Sequence, residues 1–187
     1  DDDGKVTSVS FYERFDAHKL IEECMILANV AAAEELVGLK RPLLFRVHEE
    51  PSQDKLESLR EVAEASGFTL AKGQVLKTAH LNRLLSQAEG SEFAELMNIS
   101  TLRSMTQAYY SPDNFGHFGL ALRNYAHFTS PIRRYSDVLA HRILERNLDG
   151  KTYRVDPSKL EEQCKHISNQ ERKAAEAERV ASEEATS

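Results

Sequence analysis

Apolar and polar positions follow two different periods along the first third of the chain. Residues 5–11 alternate between the two and are rich in β-branched types, so they predict a strand. From about Ala17 to Val37 apolar residues recur at helical spacing, which predicts a helix with one broad apolar face. That face consists of Leu20, Ile21, Cys24, Met25, Leu27, Ala28, Ala31 and Ala32. After Pro42, residues 43–47 predict a short buried strand.

The rest of the pattern predicts further helices separated by irregular segments. The first lies between Ser52, a weak N-cap, and Gly67, followed by helices over residues 81–88 and 92–108. In the helix over 92–108 the residues expected to point inward are Phe93, Leu96, Met97, Ile99 and Leu102. Glycine, proline and aromatic residues are frequent over 109–126, which is typical of irregular backbone.

Two prolines predict where the last two helices begin. Pro131 suits the first turn of a helix from about Ile132 to Leu148, because its missing N–H has no helical partner there. Pro157 begins a final helix to about Ser182. The apolar seam of that helix consists of Leu160, Cys164, Ile167 and Ala174 or Ala175. These elements together predict an α+β fold, mostly helical with a few short strands.

Composition narrows the class of protein. A chain of 187 residues with 41% hydrophobic and 29% charged residues has the size and apolar content of a folded domain. It contains no apolar run of membrane-spanning length and no signal-peptide pattern, so we expect a cytoplasmic location and no membrane partner. Cys24 and Cys164 are too few and too far apart for a disulfide framework, and we expect reduced thiols.

Charge is unevenly distributed along the chain. The net charge is −6, but residues 101–150 hold six arginines against four aspartates and glutamates, with three histidines. Any contact with a nucleic acid must therefore be local. The three histidines, His117, His127 and His141, lack the close spacing of zinc ligands, so we expect structural roles for them.

The most informative segment runs from His127 to Arg142. It places hydroxyl, guanidinium and imidazole groups around the start of the predicted helix. Unpaired N–H groups and the helix dipole there, with Thr129 or Ser130 and the two guanidiniums of Arg133 and Arg134, would suit a phosphate. An alternative without chemistry is also open: Ser130 as a plain N-cap, Asp137 and His141 as a surface pair four residues apart, and both arginines paired with nearby acids.

Three stretches carry a resemblance to a known family. Residues 116–142 contain His-Phe-Gly-Leu-Ala-Leu, then His-Phe-Thr-Ser-Pro-Ile-Arg-Arg-Tyr, then Ala-His-Arg. Residues 17–32 and the run Phe-Arg-Val-His-Glu-Glu-Pro at 45–51 come before them in the same order and spacing as in that family. The chain thereby resembles the C-terminal part of the catalytic domain of the RNB exoribonucleases, the ribonuclease II / ribonuclease R family, with the bacterial ribonuclease R branch nearest.

The resemblance implies a magnesium-dependent hydrolase that removes nucleotides one by one from the 3′ end of single-stranded RNA and releases nucleoside 5′-monophosphates. By position, Arg133 would be the catalytic arginine that contacts the scissile or adjacent phosphate. On the helix over 17–37, Glu22 or Glu23 together with Asn29 would approach a ribose 2′-hydroxyl. The full set of expected RNA-binding residues is Glu22, Glu23, Asn29, Thr129, Ser130, Arg134, Tyr135, His141 and Arg142.

The resemblance also implies what this chain does not contain. In the family, magnesium is held by aspartates upstream of the helix over 17–37, and OB-type domains bind RNA. Residues 1–187 are therefore expected to be one portion of the catalytic domain, with no metal ligands of their own. Such a portion could associate with the missing segment or with another copy. The competing hypotheses are a non-catalytic RNA-binding or scaffolding module without the metal site, and a helical interaction domain with no role in RNA binding.

Overall fold

A computed structural model describes residues 13–71, 76–151 and 154–186 of the chain. The described residues are mostly helical with two short strands, which confirms the predicted α+β class. The strand predicted over residues 5–11 lies outside the described ranges. Among the helices within those ranges, none has both the length and the apolar content needed to cross a bilayer.

Six helices and two strands make up the described secondary structure, with one short 3₁₀ turn. In chain order they are α1 (Asp16–Gly38), β1 (Phe45–Val47), α2 (Gln53–Ala65), α3 (Thr78–Ala88), α4 (Ala94–Ser104), β2 (Tyr109–Ser111), the 3₁₀ turn (Phe118–Leu120), α5 (Tyr135–Leu148) and α6 (Pro157–Thr186). Strands β1 and β2 pair in a two-stranded sheet. The chain divides into two compact units: the first comprises residues 1–45, 110–112 and 126–187, the second residues 46–109 and 113–125.

The first unit is built around helices α5 and α6. Its buried core consists of Leu44, Tyr110, Leu139, Leu160 and Cys164. Full burial of each such aliphatic side chain contributes about 1.5–3 kcal/mol. Helix α6 begins as predicted, with Pro157 in its first position and the Asp156 carboxylate accepting the N–H of Ser158 at 3.1 Å. Its apolar seam is confirmed at Leu160, Cys164 and the partly buried Ile167, whereas Ala174 and Ala175 are exposed.

The second unit contains helices α2, α3 and α4, whose cluster of buried side chains includes Leu59, Leu84 and Met97. Helix α2 begins at Ser52, whose Oγ accepts the N–H of Lys55 at 3.4 Å, as the sequence indicated. It ends where Gly67 adopts a φ of +83°. The N–H of Phe68 donates to the carbonyl of Ala63 at 2.8 Å and closes the last turn.

Close packing around His48 fixes the irregular part of the second unit. Its Nε2 donates to the carbonyl of Thr106 at 2.9 Å, and its Nδ1 accepts the N–H of Gly119 at 2.9 Å. A Cβ at position 119 would lie 2.7 Å from Nδ1 of His48, too close for any side chain. Both ring nitrogens of His48 therefore have partners, and this histidine has a structural role in the second unit.

Two predictions about inward faces are wrong. In α1 the buried residues are Asn29, Ala32, Ala33 and Leu36, while most of the predicted apolar face is exposed, including Leu20 at 64% and Leu27 at 70%. In α4 only Met97 of the predicted set is fully buried; Leu96, Ile99 and Leu102 are exposed. The buried positions still follow helical spacing, but they fall on a face that carries smaller and more polar side chains.

Candidate nucleic-acid interface

The segment between Ala126 and helix α5 forms a turn rather than the start of a helix. Helix α5 begins at Tyr135, and Arg134, its N-cap residue, has extended backbone angles (φ −129°, ψ 120°). The carbonyl of Ser130 accepts the N–H groups of Arg133 and Arg134 at 3.2 and 3.1 Å. The prediction that the helix begins near Ile132 with Pro131 in its first turn is therefore wrong. We call residues 127–134 the arginine turn.

The Asp137 carboxylate holds this turn from the first turn of α5. Asp137 is fully buried, and its Oδ1 accepts the N–H of Ser130 at 2.7 Å and Nη2 of Arg134 at 2.9 Å. Its Oδ2 accepts Nε of Arg134 at 2.9 Å and Oγ of Ser136 at 3.0 Å. Burial opposes ionisation, but the hydrogen bonds and the charge of Arg134 outweigh it, so the pKa of Asp137 lies below its ordinary value.

This geometry also decides the alternative interpretation of the segment. Asp137 and His141 do not form a surface pair, because Asp137 is buried against Arg134. One of the two neighbouring arginines, Arg134, is paired with Asp137 through Nε and Nη2 of its guanidinium. Ser130 does not cap the helix with its side chain; its backbone N–H contacts the aspartate instead.

Helix α1 contacts the same turn through Asn29. This side chain is 3% exposed, and its Oδ1 accepts the N–H groups of Phe128 at 2.9 Å and Thr129 at 3.2 Å. The resemblance implied that Asn29 approaches a ribose. In the structure its side-chain oxygen accepts hydrogen bonds from backbone N–H groups of the protein. The proximity of Asn29 to Thr129, 100 positions away along the chain, was implied only by the resemblance.

Two histidines support the turn from its other sides. His141 stacks on the ring of Phe128 with a centroid distance of 4.0 Å and an interplanar angle of 7°. Its Nε2 donates to the carbonyl of Phe128 at 2.9 Å. Nδ1 of His127 is hydrogen-bonded to the hydroxyl of Tyr110 at 2.7 Å. Both backbone polar groups of Phe128 are thus held, the N–H by Asn29 and the carbonyl by His141.

Arg133 is presented differently from its neighbour. It is exposed, and no hydrogen bond or ion pair involves its side chain within residues 13–71, 76–151 and 154–186. Ile132 beside it is fully exposed, and Tyr135 and Arg142 are exposed as well. The turn therefore presents the guanidinium of Arg133 to solvent, on a backbone that several hydrogen bonds hold in place.

The two candidate glutamates lie on α1, the helix that carries Asn29. Glu22 is partly exposed and forms an ion pair with Arg14, while Glu23 is exposed. The choice between them therefore stays open. Of the predicted residues, the structure brings together Asn29, Thr129, Ser130, Arg134 and His141. Sequence reasoning missed Asp137 as the acceptor that holds Ser130 and Arg134, although its spacing of three from Arg134 is a usual one for a helical ion pair.

The described residues do not fit the magnesium ion that the resemblance implies. Within the described ranges, no three histidine, cysteine, aspartate or glutamate side chains lie close enough together to hold a metal ion. Asp137, the buried carboxylate of the turn, already accepts four hydrogen bonds. The run Asp1 to Asp3 lies outside the described residues.

The second unit contains a cavity that sequence reasoning did not predict. Its volume is about 570 Å³, and its lining includes Lys77, Phe115 and His117. Nδ1 of His117 accepts the N–H of Leu120 at 3.2 Å. Burial, together with the charges of His48 and Arg46, lowers the pKa of His117 to about 4. This imidazole is therefore neutral at pH 7.

Comparison with known proteins adds independent information. The sequence model of the RNB domain matches residues 1–150. Ribonuclease R of Aquifex aeolicus is 43% identical over 180 residues, which are 95% of this chain and 26% of that protein. The chain spans about a quarter of the length of the curated relatives it matches.

Solved structures show the same fold. Mycoplasma genitalium RNase R, in complex with ribose methylated single-stranded RNA, matches with a TM-score of 0.84 at 30% identity, over 95% of this chain and 29% of that one. Yeast Ssd1, described as a pseudonuclease, matches with a TM-score of 0.72 at 25% identity, over 83% of this chain and 20% of that one.

Proposed function

The chain belongs to the RNB domain family, and we propose that it supplies the RNA-contacting part of a hydrolytic 3′-to-5′ exoribonuclease. The substrate is single-stranded RNA and the products are nucleoside 5′-monophosphates. The curated relatives are about four times as long, so the activity is proposed for the full-length protein and not for these residues alone.

The observation that carries the proposal is the exposed Arg133 on a fixed turn. A guanidinium without an internal partner can present either of its edges to a phosphate for two parallel hydrogen bonds, whereas the Nε–Nη2 edge of Arg134 is already taken by Asp137. A donor that is already in place when negative charge develops on phosphoryl oxygens lowers the barrier to hydrolysis. Arg142, also exposed and on α5, is the second candidate for a phosphate contact.

Selection of RNA over DNA is proposed to involve α1. A carboxylate can accept a hydrogen bond from a ribose 2′-hydroxyl, and DNA lacks this group. Glu23 is exposed on α1, whereas one carboxylate oxygen of Glu22 already contacts Arg14. The match to an RNase R in complex with ribose methylated single-stranded RNA supports RNA as the ligand.

Magnesium is part of the proposal only for the full-length protein. When bound, it would supply a charge that neutralises phosphate oxygens and activates water. The residues described here lack a ligand set for it, so its ligands would come from elsewhere. The contribution of this chain is to bind and orient the RNA backbone.

The test uses the full-length protein with magnesium and a 5′-labelled oligoadenylate. We expect shortening from the 3′ end with release of 5′-AMP. Arg133→Ala should lower kcat about 100- to 1000-fold, and Arg133→Lys should restore little, because lysine lacks the planar fork. Arg83→Ala, an exposed arginine of the second unit, is the matched control and should leave kcat unchanged. Full activity of Arg133→Ala would refute the assignment of this residue.

A second candidate function is binding of single-stranded RNA without hydrolysis. It is favoured by the missing ligand set within the described residues and by the match to yeast Ssd1, described as a pseudonuclease. RNA binding that weakens steeply with salt, with no 5′-AMP at any magnesium concentration, would support this function instead.

A further inference from the structure

Three consecutive backbone N–H groups of the arginine turn are held by two buried side chains from two different helices. Asn29 of α1 accepts those of Phe128 and Thr129, and Asp137 of α5 accepts that of Ser130. Asn29 is 3% exposed and Asp137 is fully buried. Hydrogen bonds at such sites are costly to break, because the N–H groups would lose their partners away from water.

Ser130 passes this constraint on to Arg133. Its N–H is fixed by Asp137, and its carbonyl accepts the N–H groups of Arg133 and Arg134. Arg134 is also tied by its guanidinium to the same aspartate. The backbone on both sides of Arg133 is thereby held, and only its side chain is left to move.

We propose that Asn29 and Asp137 are positioning residues that hold Arg133 in place for its phosphate, and that Arg134 belongs to this anchor rather than to the RNA contacts. The inference rests on the proposed function of Arg133. It replaces the expected ribose contact of Asn29 and the expected RNA contact of Arg134.

The bonding pattern favours the positioning role over direct contact. Oδ1 of Asn29 already accepts two N–H groups, so this oxygen has no lone pair left to accept from a ribose hydroxyl. The Nε–Nη2 edge of the Arg134 guanidinium is taken by a buried carboxylate that offsets its charge, so only Nη1 and the second N–H of Nη2 remain for any other acceptor. Displacement of a catalytic group by about 1 Å can cost about 100-fold in rate, so holding the turn is sufficient reason for both side chains.

The kinetic test compares Asn29→Leu and Asp137→Asn with Asn98→Leu in the full-length protein. Asn98 is an exposed helical asparagine of the second unit and serves as the matched control. We expect Asn29→Leu and Asp137→Asn each to lower kcat by about 10- to 100-fold on single-stranded oligoadenylate, with KM changed by less than about threefold. In combination with Arg133→Ala, neither should lower kcat further, because the group they position is gone.

Asn29→Asp separates positioning from RNA contact. The carboxylate can still accept both backbone N–H groups, so kcat should return to within about fivefold of the wild type. If Asn29 contacted the RNA, the added negative charge would instead weaken RNA binding by more than about tenfold, since like charges repel. The latter result would overturn the inference for Asn29. Full additivity with Arg133→Ala would overturn it for either residue.

Hydrogen exchange of the peptide over residues 128–134 tests the anchor without any activity. Asn29→Leu and Asp137→Asn should speed exchange in this peptide, whereas Asn98→Leu should not. Unchanged exchange in both variants would overturn the inference. Faster exchange with wild-type kcat would also overturn it. If the wild type itself fails to hydrolyse RNA, the proposed function fails, but this measurement still decides whether the two side chains hold the turn.

Discussion

At the scale of single residues, two adjacent arginines have opposite roles. Arg134 is 21% exposed in its side chain and pairs with the fully buried Asp137, whereas Arg133 is exposed and has no side-chain partner within the described part of the chain. Substituting Arg134 leaves a buried carboxylate without its charge partner, but substituting Arg133 leaves nothing unpaired. Substitution of Arg134 should therefore lower the stability of the protein, whereas substitution of Arg133 should lower its activity and leave its stability unchanged.

We expect Arg134→Gln to destabilise the protein by about 3 kcal/mol, the lower end for a broken buried ion pair because Arg134 is partly exposed. Arg133→Gln, the matched control at the next position, should change stability by less than about 0.5 kcal/mol. Chemical unfolding, monitored by hydrogen exchange of peptides from α5, measures the free energy of unfolding of both variants. Equal stability of the two variants would contradict the asymmetry.

The sequence could not distinguish these two residues by their own chemistry. Both are arginines next to a predicted helix start, and the position-by-position resemblance alone singled out Arg133. The decisive partner, Asp137, looked like a surface acid because a spacing of four from His141 is common on exposed helix faces. Which acid is buried depends on packing against the rest of the unit, and a local pattern does not contain that information.

At the scale of elements, the sequence predicted helices better than their faces or their starts. The periods of α1, α2 and α6 and the starts of α2 and α6 follow from local signals: Ser52, Gly67 and Pro157 act within one turn of the helix. Pro131 is a similar signal but does not start α5, whose N-cap residue is the extended Arg134 and whose residue Asp137 accepts the N–H of Ser130. The buried face of α1 was misjudged because large apolar residues occur on two sides of that helix.

The 3₁₀ turn at Phe118–Leu120 should respond to pH through His117. Its pKa in the folded chain is about 4, against an ordinary value of 6.5. Between these values the unfolded chain holds a proton that the folded chain rejects. Stability must therefore fall as the pH is lowered from 6.5 towards 4, by at most about 1.4 kcal/mol per pH unit. Above pH 6.5 this group causes no change.

His117→Asn provides the matched control for this pH dependence. The side-chain oxygen of asparagine can accept the N–H of Leu120 but does not titrate, so the variant should lack the slope. Hydrogen exchange of the peptide over residues 115–122, corrected for intrinsic rates and compared at pH 5 and pH 7, measures the difference. A titration of His117 near pH 6.5 in the native protein would contradict the expectation.

At the scale of the whole molecule, charge argues for a small number of phosphate contacts. The chain carries a net charge of −6, whereas residues 101–150 hold six arginines against four aspartates and glutamates. An acidic chain binds a polyanion only through a local group of cations. Arg133 and Arg142 are exposed within this stretch, whereas Arg134 is neutralised by Asp137.

The salt dependence of RNA binding measures the number of phosphate contacts. Replacing both Arg133 and Arg142 by glutamine should reduce the slope of log K against log salt by about 1.4, since each phosphate contact on a single strand contributes about 0.7. Arg134→Gln should leave the slope unchanged, and Arg83→Gln is the control. Fluorescence anisotropy of a labelled single-stranded RNA over a range of salt concentrations measures these slopes. A reduced slope for Arg134→Gln would show that this residue contacts the RNA.

The contact between Gly119 and His48 limits how this protein can diversify. A methyl group at position 119 would collide with the imidazole, and a smaller residue at position 48 would remove the acceptor for the N–H of Gly119 and the donor to Thr106. A substitution at either position alone would therefore cause a clash or break a hydrogen bond, and a joint replacement would have to restore two polar contacts at once. Engineering of the neighbouring cavity should therefore leave both residues unchanged.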